Sequence, residues 1–144
     1  MSLVDASVIV AILNEEAGFE ELEKRIEEAG PRLYVSPLVR FEAVTAMMKI
    51  ELKRVKFKGD RQKIAAKVRE LVDAFIEGMG ARSIVIDDTI GQTALDAMAT
   101  YGKMVAHPAD LNFGDCFAYA AAKKHRVKLL YKGNDFAQTD MGSE

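Results

Sequence analysis

Apolar positions along the chain follow two rhythms. Short apolar runs bounded by polar or turn-forming residues occur at Ser2 to Val4, Arg32 to Ser36, Ser83 to Ile86 and Lys128 to Tyr131, and these predict strands. Between them, apolar residues recur every three to four positions, the spacing of one helix face. ASVIVAILNEE follows the first run, with Asp5 or Ser7 as its cap. Ala17 to Ala29 carries Phe19, Leu22 and Ile26 and stops at Gly30-Pro31. Pro37 suits a first helical turn and opens a helix that runs to Arg54. Gly59-Asp60 breaks the chain before an amphipathic helix from Arg61 to Glu77, which Gly78-Met79-Gly80 ends. Asp87-Asp88-Thr89 caps a helix to Tyr101, a loop with His107-Pro108 follows, and LNFGDCFAYA, residues 111–120, starts a helix that reaches Lys124.

Strands alternating with helices predict an α/β fold, a three-layer α/β/α sandwich around a central, mainly parallel sheet, because right-handed crossovers lay helices on both faces. The carboxyl ends of parallel strands share one edge, where ligands usually bind. A helix that follows a strand starts at that edge, and a helix that precedes one runs antiparallel to it, so its N-terminus lies there too. With 144 residues, no repeat and no long linker, residues 1–144 are expected to form one domain.

Composition narrows the picture. Hydrophobic residues make up 49% and charged residues 29%, which excludes a disordered or collagen-like chain. The single cysteine, Cys116, excludes an internal disulfide, no Cys/His array exists for structural zinc, and a reducing compartment follows. Val8 to Leu13 is too short to span a bilayer and lacks a basic leader, so a soluble cytoplasmic protein without membrane contact is expected. Net charge is only −2, but Lys49 to Arg69 holds nine basic residues against two acidic ones, leaving the remainder at −9. That split suits a polyanionic or acidic partner on one side and a carboxylate region that demands a cation on the other, or simply a solvated basic helix face.

The topology brings acids together. Asp5 ends the first strand, Glu42 lies early in the helix after the second, Asp115 opens the helix before the last strand, and Asp135 follows that strand. All four reach one edge, where their mutual repulsion is best relieved by a hard divalent cation with oxygen ligands, Mg2+ or its substitute Mn2+. Each acid also has a local explanation. Asp5 can cap a helix, Asp115 can meet a helix dipole, Asp135 sits in the turn sequence Gly133-Asn134-Asp135, and Glu42 shares an arc with Lys49 and Lys53 that could be a solvated stripe. Asp87 and Asp88 follow the third strand and reach the same edge, so position alone does not select four acids. The histidines offer no base: His107 is in a loop, His125 at a helix end, and Cys116 lies about 900° of helix from His125, on the opposite face.

VDASVIVAIL, SPLVRFEAV, LNFGDCFAYAAAKKH and LLYKGNDFAQTD, in that order over nearly the whole chain, resemble the PIN-domain ribonucleases, most closely the VapC-like toxins of toxin–antitoxin pairs. The last two stretches are the specific ones. The resemblance implies a PIN-like domain and a Mg2+-dependent endoribonuclease in which Asp5, Glu42, Asp115 and Asp135 hold the metal. It also implies a cognate VapB-like antitoxin that docks at or near the site, and a homodimer. Ser7 matches a polar position beside the first acid, with a supporting hydrogen bond expected. Asn112 is expected to shape the start of the helix that carries Asp115, and Asp140 to support the site from outside the quartet. Metal-activated water would then cleave RNA, with Lys49 and Lys53 nearest the site to contact RNA or an acidic antitoxin segment. Two other readings remain in view, a receiver-like signalling module using Lys132 at the carboxyl edge and a catalytically inactive PIN-fold binding protein.

Overall fold

The computed structural model describes residues 1–55 and 59–141. Lys56 and Lys58 of the basic run lie outside the described residues. Strands β1 (Ser2–Val4), β2 (Leu33–Val35), β3 (Arg82–Ser83) and β4 (Lys128–Leu130) form one sheet in the order β3-β2-β1-β4, with every pairing parallel. Helices α1 (Ala6–Leu13), α2 (Phe19–Ala29), α3 (Pro37–Arg54), α4 (Arg61–Gly78), α5 (Asp88–Tyr101) and α6 (Phe113–His125) surround it, and short 3-10 turns occupy Lys103–Val105 and Phe136–Gln138.

Side-chain alternation along β1 divides the interior. Leu3 packs with Ile90, Ala94, Tyr119 and Leu129 on the face covered by α5 and α6. Val4 packs with Ile9, Val35, Val39 and Val72 on the face covered by α1, α3 and α4. Both faces of β1 are therefore buried, which is why its sequence is apolar without interruption. The expected three-layer arrangement is present.

Helix starts are fixed by oxygen caps. Asp5 caps α1, Ser36 with Pro37 behind it opens α3, Asp60 caps α4 and Asp87 caps α5. Asn112 and Asp115 form a reciprocal capping box on α6.

Three boundaries depart from the sequence expectation. The third strand is Arg82–Ser83 instead of Ser83–Ile86: β2 ends at Val35, where the chain turns into Pro37 and α3, and only the Ile84 N–H still reaches a β2 carbonyl, that of Val35 at 2.9 Å. The first helix ends at Leu13 because Glu15 adopts a left-handed φ of 48°. The last strand ends at Leu130, and two residues on the Lys132 N–H has turned to the Ser7 hydroxyl.

Leu3 is fully buried at the centre of the sheet. Leu3→Ala should lower the free energy of unfolding by about 2–5 kcal/mol in urea titrations with an unchanged slope; a loss under about 1 kcal/mol would place Leu3 outside a packed core.

Candidate metal centre

The four acids arrive by four routes. Asp5 sits where β1 passes into α1 and is 5% exposed; its Oδ2 accepts the Ser7 N–H at 3.1 Å and the Ser7 hydroxyl at 2.5 Å. Ser7 Oγ in turn accepts the Lys132 N–H at 3.0 Å, so one hydroxyl orients the Asp5 carboxylate and ties α1 to the segment that leads to Asp135. Asp115 Oδ2 accepts the Asn112 N–H at 3.1 Å, while Asn112 Oδ1 accepts the Asp115 N–H at 2.9 Å, which fixes the carboxylate at the mouth of α6.

Glu42 comes from the second turn of α3 and lies against α6. A Cβ placed on Gly114 would sit 1.9 Å from Glu42 Oε2 and 2.3 Å from its Cδ, so the absence of a side chain at 114 is what admits this carboxyl group. Its Oε1 is buried without a hydrogen-bond partner among the described residues. An orphaned buried carboxylate oxygen is unfavourable and calls for a proton or a cation. Asp135 is exposed at the start of the 3-10 turn beyond β4.

The electrostatics tie these groups to one another. Burial, followed by the charges of Asp5 and Asp115, pushes the Glu42 carboxyl up to about 7. Burial pushes Asp115 up to about 6 against the opposing Asn112 hydrogen bond, with Asp5, Asp135 and Asp110 adding to the rise. Burial also raises Asp5, which Ser7 partly offsets, and Asp135 adds to it. Asp110, at a left-handed φ of 53° just before α6, is an acid that sequence reasoning did not single out; its place five residues before the LNFGD carboxylate was the available signal.

In donor chemistry the set fits a hard cation: carboxylates only, mutually repelling, with one buried oxygen unsatisfied. Among the described residues, however, no three His, Cys, Asp or Glu side chains stand close enough together to form a ready-made ion cage. Asp5 and Asp115 are already held by donors of their own, Ser7 and Asn112, which engage Oδ2 of each. Ligation would need Glu42 or Asp135 to turn inward toward them.

Other acids have other partners. Asp87 accepts from the Ile90 N–H at 3.0 Å and pairs with Lys124, which holds its carboxyl below the ordinary range. Asp88 sits in the first turn of α5. Asp140 accepts the Tyr119 hydroxyl at 2.6 Å and Lys123 Nζ at 3.0 Å, so it fastens the C-terminal segment to α6. Lys132, the cation a receiver-like module would use, pairs with Glu16 at 2.8 Å. His107 accepts the Ala109 N–H and stacks edge-on with Tyr101, a loop role. Lys49 and Lys53 are exposed on α3, roughly 10 and 16 Å along the helix axis from Glu42 at 1.5 Å per residue.

Comparison with known proteins gives the family and the fold. Residues 2–141 match the PIN domain family model. Over 142 residues the chain is 60% identical to a VapC ribonuclease of Rhizobium meliloti (strain 1021), covering 99% of this chain and all of that protein. Ribonuclease VapC42 of Mycobacterium tuberculosis is 33% identical over 139 residues, covering 96% of this chain and 95% of the relative. Among solved structures, the sarcin–ricin loop cleaving toxin VapC20 of Mycobacterium tuberculosis superposes with a TM-score of 0.65 at 18% identity, covering 95% of this chain and 93% of the other. A toxin–antitoxin complex from Klebsiella pneumoniae gives a TM-score of 0.65 at 17% identity, covering 98% and 94%. Both have the same fold.

The Glu42–Gly114 contact yields a test with a definite sign. Folding raises the Glu42 pKa from 4.5 to about 7, so between these values the folded chain holds a proton that the unfolded chain releases, and stability falls as pH rises through this window. Gly114→Ala should displace only the flexible carboxyl end of Glu42 and flatten that fall in metal-free thermal unfolding from pH 4.5 to 7.5. Adding Glu42→Asp, one methylene shorter, should restore part of the slope. An unchanged slope in Gly114→Ala would contradict the contact.

Proposed function

The chain belongs to the PIN domain family, and from that premise we propose that it is a Mg2+-dependent endoribonuclease acting as the toxin of a toxin–antitoxin pair. The observation that carries this reading is the convergence of Asp5, Glu42 and Asp115, with Asp135 beside them, at the carboxyl edge of the sheet, two of them with proton affinities raised to about 6 and 7. The relatives named as VapC ribonucleases support it.

Asp5 and Asp115, joined by Glu42 and Asp135, would hold the ion; Mn2+ would serve in its place. The bound ion supplies Lewis-acid polarisation of a phosphate oxygen and a lowered pKa for a coordinated water. The chain's own part is positional. Ser7 keeps Asp5 turned to the edge, the Asn112 capping box keeps Asp115 at the mouth of α6, and Gly114 leaves room for Glu42. The carboxylates must be ionised to act as ligands, so metal affinity falls as pH drops below 7.

RNA approaching this acidic edge needs compensating charge, and exposed Lys49 and Lys53 lie on the arc of Glu42. On the outer side of α3, Phe41 is 68% exposed, and Leu38, Met48 and Leu52 along the same arc are half-buried, a stripe suited to a second copy of the chain. The antitoxin would occupy or border the carboxylate edge. Among the described residues, no helix is long and apolar enough to cross a membrane.

Cleavage of an RNA substrate with Mg2+ should stop with chelator and fall on the order of 100-fold or more in Asp5→Asn and Asp115→Asn proteins whose circular dichroism is unchanged. Parental rates in both variants would remove the proposed site. Separately, Lys49→Glu with Lys53→Glu should weaken RNA binding and reduce the slope of log K against log salt by about 1.4 if both meet phosphates. Binding that is unaltered for RNA but weakened for antitoxin would assign these lysines to the protein partner instead.

A further inference from the structure

We propose that the outer edge of β4 is a docking strip for an extended, acidic segment of the antitoxin, added to the sheet as a further parallel or antiparallel strand; this rests on the toxin–antitoxin reading above. Among the described residues β4 pairs only with β1 and so closes one side of the sheet. Its peptide groups alternate in direction. The Lys128 N–H donates to the Met1 carbonyl, the Leu130 carbonyl accepts from the Asp5 N–H, and the Lys132 N–H donates to Ser7 Oγ, so residues 128, 130 and 132 face inward. Leu129 and Tyr131 therefore turn their N–H and C=O groups outward, the arrangement an added strand requires.

This edge is recessed. A groove of about 1020 Å³ runs beside it, walled by Ala17, Gly18 and Leu22 of the α2 side and by Ala137 and Met141 beyond β4. A groove with two walls admits a single extended chain about 4.8 Å from β4 but not the broad edge of a second folded domain. That geometry favours a peptide over a second copy.

Charge selects the chemistry of the peptide. Arg25, Arg126, Lys128 and Lys132 line the groove against Glu21 and Asp140. Glu21 is engaged by Arg25 at 3.6 Å, Asp140 by Lys123, and Lys132 by Glu16. Arg126, exposed where α6 ends, makes no ion pair among the described residues and leaves that end of the groove positive. The other end reaches Lys132, Gly133 and Asn134, adjacent to Asp135. A strand seated on β4 thus arrives at the carboxylate edge, which joins antitoxin docking to blockage of the site.

The test uses the full chain and the synthetic hexapeptide acetyl-Glu-Val-Thr-Val-Thr-Glu-amide, with a second version N-methylated at alternate peptide groups. At saturation the first should slow hydrogen exchange of the Leu129 and Tyr131 amides at least about tenfold, and the N-methylated version should not. Arg126→Asn, which suits the left-handed φ of 53°, should weaken the first peptide about two- to fivefold. No slowing at these two amides overturns the inference. So does protection already present in the free chain, which would mean that its own residues or, if it grows with protein concentration, a second copy cover the edge. RNA cleavage is measured on the same samples: cleavage without edge docking sinks this inference alone, and docking without cleavage sinks the nuclease reading alone.

Discussion

Everything at the proposed site follows from one burial: the Asp5 carboxylate, 5% exposed, at the end of the central strand. A charged group so placed is unfavourable unless neighbours satisfy it. Ser7 supplies two hydrogen bonds from the first turn of α1, and the same hydroxyl takes the Lys132 N–H, so satisfying Asp5 also sets the course of the chain beyond β4. The position of Asp135 and the start of the β4 edge groove both depend on that bridge.

Topology explains why the other acids meet Asp5. β1 has β2 on one side and β4 on the other; α1, α3 and α4 cover one face of the sheet, and α5 and α6 cover the opposite face. The carboxyl ends of β1 and β4 open between these layers, the crevice in which open α/β sheets bind ligands. Glu42 enters from one layer and Asp115 from the other. They can approach because position 114 has no side chain, and burial first, then the charge of neighbouring acids, Asp5 among them for each, raises the proton affinity of both.

Much of this was legible in the sequence. Asp5 or Ser7, Pro37, Asp87 and Asn112 marked helix starts, and the alternation of strand and helix was expected to bring the quartet to one edge; the Ser36 cap appears only in the fold. Local chemistry could not discriminate among acids at that edge. Asp87 is separated from the quartet by Lys124, 37 residues away in sequence, and Asp140 by Tyr119 and Lys123, pairings that only tertiary packing creates. The role of Gly114 was hidden for the same reason, since it depends on a side chain from another helix. Asp110 was missed because a loop acid has no periodicity to betray it. The third strand was overextended because Ile84 to Ile86 is apolar enough for a strand but has no β2 residue left to pair with.

The proposed chemistry requires that these carboxylates close on a divalent cation. Anomalous scattering from crystals grown with Mn2+ tests it most directly. A metal peak bounded by oxygens of Asp5 and Asp115 is expected, with Glu42 or Asp135 turned inward from the positions described, at roughly 2.1 Å as for a hard ion with oxygen ligands. Saturating Mn2+ that leaves Asp5 on Ser7 and Asp115 on Asn112, with the ion bound elsewhere, would contradict it.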